Sequence, residues 1–168
     1  MHIIRPESPD DVRAIRDLNR RAFETGLEAT LVDALREQAD PIVSLVAVSD
    51  NVVVGHILFS PVTLSSQPGL PIMGLAPMAV VPERQRQGIG ADLVRAGIDH
   101  CRTAGCVAVV VLGHAAYYPR FGFSPASRFG LVSEYDVPDD VFMALELASG
   151  VLRGNAGTIR YHPAFAAA

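Results

Sequence analysis

Apolar and polar positions change their spacing several times along the chain, and each change predicts an element. His2 to Ile4 reads as a short first strand. Ser8-Pro9-Asp10-Asp11 then carries an N-cap residue, a proline at the first helical position and an acid three residues on. Val12, Ile15, Leu18 and Ala22 follow on one helical stripe. Thr25 to Glu28 repeats the capping pattern, and a second helix runs through Leu27, Leu31, Leu35 and Gln38 to a stop at Asp40-Pro41. Ser44 to Ser49 and Val52 to Ser60 are β-branched runs joined by Asp50-Asn51, a hairpin signal. The stretch Ser65 to Pro71 reads as a long loop, and Ile72 to Val81 as a third strand of that group.

The character then changes. Gln85 to Gly90 is polar and glycine-bearing, and opens a helix carrying Ile89, Leu93, Gly97 and Cys101 up to Gly105. Cys106 to Leu112 is a continuous apolar run, as expected of a strand buried on both faces. Strand, glycine loop, helix and buried strand form a βαβ unit, so the strands 72–81 and 106–112 should be parallel. Phe142 to Leu147 and Thr158 to Tyr161 supply later strands. The fold class is α/β: a mixed sheet with helices on both faces, in one domain over residues 1–168.

Composition narrows the function. The chain has 14 Lys+Arg, all arginine, against 18 Asp+Glu, for a formal net charge of −4. That balance argues against a nucleic-acid partner. The two cysteines, Cys101 and Cys106, have neither metal-ligand spacing nor a secreted disulfide pattern, and no metal site is implied. The start Met-His-Ile-Ile-Arg-Pro-Glu has no apolar signal region, and no apolar run is long enough for a membrane span. The expectation is a cytoplasmic protein without a membrane partner. A homodimer is the default oligomer on general frequency alone.

The chemistry concentrates first in Gln85-Arg86-Gln87-Gly88-Ile89-Gly90-Ala91. A helix N-terminus offers free amides and a partial positive charge, and glycines let a ligand approach closely, which suits a pyrophosphate. The segment is not a P-loop, since no Gly-Lys-Ser/Thr follows, and it lacks the third glycine of the dinucleotide fingerprint. Met78-Ala79-Val80-Val81-Pro82-Glu83 with Gln85-x-x-Gly88-x-Gly90 resembles the acetyl-CoA motif of the GCN5-related N-acetyltransferases. Tyr118 with Gly122-Phe123, about 30 residues on, resembles that family's second motif. The segments Gly55 to Ser60, Tyr117 to Phe123 and Gly157 to Tyr161 are similar to its YhbS-like branch.

The resemblance implies a central, mostly antiparallel sheet whose parallel strand–helix–strand unit splays around the cofactor. It implies acetyl-CoA as co-substrate. Met78, Ala79 and Val80 would hold the pantetheine arm. Gln85 and Arg86 to Ala91 would hold the pyrophosphate. Tyr118 would protonate the departing CoA thiolate, and a primary amine of a small molecule or protein would be the acceptor. Solution values support such a donor, since a phenol near 10 and a thiol near 8.5 are roughly matched. Many relatives carry a glutamate base on the strand before the loop, whereas Met73 to Met78 has no acid here. Glu28 and His56 are the substitutes, each with a competing structural role: a helix cap and a hydrogen-bonded sheet histidine. A water chain to bulk is the third route. A silent acyl-CoA-binding domain would keep the loop and dispense with the Tyr118 hydroxyl. A generic phosphate-binding module would need the loop alone.

Overall fold

A computed structural model describes residues 1–167. The strands are β1 (Ile3–Pro6), β2 (Val43–Ser49), β3 (Val52–Leu64), β4 (Gln67–Val80), β5 (Ala108–Leu112), β6 (Ser124–Pro125), β7 (Leu131–Ser133), β8 (Phe142–Glu146) and β9 (Gly157–Arg160). The α-helices are α1 (Val12–Ala22), α2 (Leu27–Gln38) and α3 (Ile89–Thr103). Hydrogen bonding links the strands in the order β1-β2-β3-β4-β5-β8-β6, with β9 on β3 and β7 on β9. β4–β5 is parallel, as the βαβ reading requires, and so is β7–β9; β1–β2, β2–β3, β3–β9, β5–β8 and β6–β8 are antiparallel. Among the described residues no helix is long and apolar enough to cross a membrane.

Contacts divide the chain into two compact units, and β3, β4 and α3 run through both. The first unit holds residues 1–60, 76–100 and the C-terminal segment. Its hairpin turns at Asp50 and Asn51, both at positive φ (50° and 64°), the left-handed pair that matches strand twist. β3 then separates two helical layers within this unit. On one face Ile15, Leu31, Val32 and Leu35 pack on Val46 and Leu58. On the other face Gly55 admits α3: a Cβ there would meet Leu93 at 3.0 Å and Ile89 at 3.1 Å. The approach is closer still at Gly97, where an added Cβ would fall 2.2 Å from the Phe59 ring. That contact leaves no room for any side chain but hydrogen.

The second unit holds residues 61–75 and 101–162. Its core joins Val62, Leu64, Ile72, Ala108, Val110, Leu131, Phe142, Ala144, Leu152 and Ile159. Ala108 to Val111 are at most 1% exposed, which explains the unbroken apolar run.

Three sequence expectations need correction. Ser65 to Pro71 is not a long loop: Ser65-Ser66 is a tight turn, and β4 already begins at Gln67. Its prolines and glycine mislead because backbone pairing, not propensity, extends the hairpin. The first strand is Ile3–Pro6, not His2 to Ile4. The N-cap of α2 is Gly26, with Thr25 one residue outside. The short β6 and β7 carry no legible alternation, being two and three residues long.

Candidate functional site

β4 ends at Val80, and Pro82–Arg84 forms one 3-10 turn before α3. Val81 N–H donates to Val54 O on β3 at 2.9 Å. Strand alternation therefore turns the Val80 backbone away from β3, and Gln85 Nε2 donates to the Val80 carbonyl at 3.0 Å. Gln87 is also spent on the loop: its Oε1 accepts from Arg84 Nε at 3.1 Å, and its Nε2 donates to Glu83 O at 3.5 Å. The two glutamines shape the backbone rather than offer free side chains.

The loop is conformationally strained. Arg86 sits at φ 64° and Gly88 at φ 87°, both in the left-handed region. An added Cβ at Gly88 would meet nothing within 4 Å, so the space beside it is open. Asp92 N–H donates to Gly88 O at 3.0 Å, the first bond of the helix. The amides of Ile89, Gly90 and Ala91 consequently have no acceptor inside α3. Ile89 is 1% exposed and pins this turn to the core. A glycine-opened set of amides without intrahelical acceptors at a helix N-terminus can hold an anion such as a diphosphate.

In the second unit, Tyr118 begins a short 3-10 turn (Tyr118–Phe121) that Gly122 closes at φ 98°. Tyr118 is 8% exposed and packs edge-on against Tyr117 at 5.1 Å and Phe123 at 5.7 Å between ring centroids. Gly113 is required by this ring, since a Cβ there would fall 2.3 Å from it. Burial, with a smaller contribution from Tyr117, pushes the Tyr118 phenol up to about 12. The solution match to a thiol is therefore loosened: the phenol keeps its proton firmly. Arg120 donates to Tyr117 O at 2.8 Å and lies 4.5 Å from the Tyr117 ring centroid, which makes Tyr117 a packing residue.

His56 lies inside the first unit with 0% exposure. Ser44 Oγ is 2.9 Å from its Nε2 and donates its own proton to Glu7, so Nε2 must carry the histidine proton. Nδ1 is then an acceptor, 3.4 Å from Asn19 Nδ2. Arg36 closes the far end with two bonds to Glu7, at 2.8 and 3.2 Å. Burial drives the imidazole down to about 4, opposed by Glu7 and assisted by Arg36, so it is neutral at pH 7. Asn19 is the member that sequence reading missed. It stands four residues after Ile15, on the buried stripe of α1, where a polar residue was the available signal. Glu28, by contrast, is half-buried at the start of α2 and accepts from Thr25 Oγ1 at 3.3 Å. Glu134 accepts the Tyr161 N–H.

Known proteins bear on this geometry directly. A sequence profile of the acetyltransferase (GNAT) family matches residues 12–123. The N-acetyltransferase YhbS of Escherichia coli is 38% identical over 164 residues, covering 97% of this chain and 98% of that protein. YjhQ, also an Escherichia coli N-acetyltransferase, is 46% identical over 134 residues, covering 77% of this chain and 74% of its own. The crystal structure of YhbS in complex with CoA superposes with a TM-score of 0.92, over 98% of this chain and 92% of that one. A GNAT acetyltransferase from Brucella melitensis in complex with acetyl-CoA gives a TM-score of 0.81 at 36% identity, covering 98% of both chains. A profile match over residues 12–123 and likeness over nearly the whole length to such proteins make this protein a member of the GNAT acetyltransferase family.

Proposed function

We propose that residues 1–168 work as one N-acetyltransferase domain, moving acetyl from acetyl-CoA to a primary amine of a small molecule or protein. The strained loop at the start of α3 carries the reading: Arg86 and Gly88 at positive φ, ahead of the unsatisfied amides of Ile89 to Ala91. The same motif belongs to a chain 36–38% identical to proteins crystallised with CoA or acetyl-CoA. The diphosphate would lie on amides 86–91, and Met78 to Val80 would hydrogen-bond the pantetheine arm. The Val80 N–H, turned away from β3, is the donor we assign to the thioester oxygen.

The amine attacks the thioester carbon directly, the C–S bond breaks, Tyr118 gives its proton to the thiolate, and a proton shed by the acylated nitrogen restores the phenol. Burial of Tyr118 keeps that proton available at neutral pH, and loss of water around a thiolate raises the thiol's own proton affinity in step. A proton must also leave the attacking ammonium. His56 is enclosed and weakly basic, so we give it a structural role and pass this proton through water towards Glu28. The free thiols of Cys101 and Cys106 suit a reducing cytoplasm.

The competing reading is an acyl-CoA-binding domain that performs no transfer, which would keep the loop and not depend on the Tyr118 hydroxyl, itself buried among Tyr117 and Phe123. Thiol release from acetyl-CoA across a panel of amines and peptides decides between them. Transfer predicts amine-dependent release in wild type, and for Tyr118→Phe a fall in kcat of about 100-fold or more with acetyl-CoA affinity retained. Binding without turnover by any amine would support the silent domain, and no binding of acetyl-CoA would sink both.

A further inference from the structure

The candidate anion cradle is flanked by two carboxylates, Glu83 before it and Asp92 in the first turn of α3. Acids beside a diphosphate oppose its binding unless they are neutralised. Each has a partner brought from elsewhere in the first unit. His2 Nε2 lies 2.7 Å from Asp92 Oδ2, with Arg95 at 3.9 Å. Arg21, in the last turn of α1, donates from the single nitrogen Nη2 to both Glu83 carboxylate oxygens, at 2.9 and 2.7 Å. That turn of α1 is itself anchored inward two residues earlier, where Asn19 reaches His56. The Glu83 carboxyl is held below the usual carboxylate range, chiefly by this bond to Arg21.

We infer that Arg21 is a positioning residue for acyl-CoA: through Glu83 it neutralises the acid at the mouth of the cradle and ties the phosphate loop to the end of α1. The inference rests on the proposed acyl-CoA function. Glu83 is connected to the cradle through its carbonyl, which Gln87 bridges one residue before Gly88. The Arg21 and Glu83 side chains are 54% and 57% exposed, so neither is a core element and substitution should leave the fold intact. A pair in this setting acts by charge and is screened by salt.

The test titrates CoA into wild type, Arg21→Ala, Glu83→Gln and the double variant, with Tm recorded for each. Arg21→Ala should weaken CoA about threefold to tenfold, because Glu83 is left uncompensated. Glu83→Gln alone should bind CoA at least as tightly as wild type. The double variant should recover most of the loss, and the Arg21→Ala defect should shrink at about 0.5 M salt. Amine KM should not change. A merely structural Arg21 would lower Tm and would not be rescued by Glu83→Gln. Unchanged CoA affinity in Arg21→Ala, or a double variant no better than the single, overturns the inference while leaving the acyl-CoA function standing. Failure of wild type to bind CoA overturns both.

Discussion

Two polar regions of the first unit handle the same problem in opposite ways. Around His56, polar groups are taken out of water and linked in a chain through Asn19, His56, Ser44, Glu7 and Arg36, with only Asn19 Oδ1 of that chain left without a partner among the described residues. Around Gly88, polar groups stay exposed, and Gln85 and Gln87 donate to backbone carbonyls of the loop. The enclosed set has its titration displaced and its tautomer fixed, which is how a shape is held. The exposed set stores strain at Arg86 and, at the start of α3, holds amides with no acceptor inside the helix, which suits it to the proposed anion. A histidine on a strand draws attention as a base, yet its surroundings enclose it, while the proposed phosphate site is a loop whose glutamines are engaged with the backbone.

The largest way to break this contrast is acid. The folded value of His56, about 4, lies below its unfolded value near 6.5. Between them the unfolded chain binds the extra proton, so stability is full above about pH 6.5 and falls towards pH 4, by roughly 3 kcal/mol. Denaturant titrations at stepped pH should show this slope, and His56→Gln should flatten it. Asp11 adds a second step. It is held by Arg5 at about 2, so its contribution is present above its unfolded value near 4 and is lost as pH falls towards 2.

Gly88→Ala tests the other region. Alanine at φ 87° costs about 1–2 kcal/mol of backbone strain. Relief of that strain would move the loop, so CoA affinity should fall about tenfold or more while the His56 slope stays unchanged. An alanine variant that binds CoA normally would remove the loop's geometry from the argument.

Glu28→Gln is the smallest expected effect on stability, about 0.5 kcal/mol from its contact with Thr25. Its use is in the pH–rate profile. Loss or displacement of the acidic limb supports Glu28 as the proton acceptor, and an unchanged profile hands the step to water alone.

Long elements were legible because their signals are local. Residues Leu27 to Gln38 repeat at helical spacing, Val107 to Leu112 are apolar without interruption, and Asp50-Asn51 marks its own turn. The loop motif was equally legible, since glycine at position 88 answers to a backbone angle that few other residues adopt. Ser65 to Pro71 misled for the converse reason: partner strands decide whether a proline- and glycine-bearing segment is extended.

What the chain alone determined is therefore the long elements, the βαβ order and the residues able to form an anion cradle, all governed by short-range sterics and periodicity. Tertiary structure decided which polar residues face one another. Glu7, Asn19, Arg36, Ser44 and His56 are scattered over 50 positions, and nothing local says that they meet. Nor does a helix pattern say that Arg21 will reach Glu83, 62 residues on. Whether Tyr118 is a ready acid or a tightly held one depends on burial by its neighbours. Desolvation and charge pairing depend on distance in space, and only the fold sets that distance.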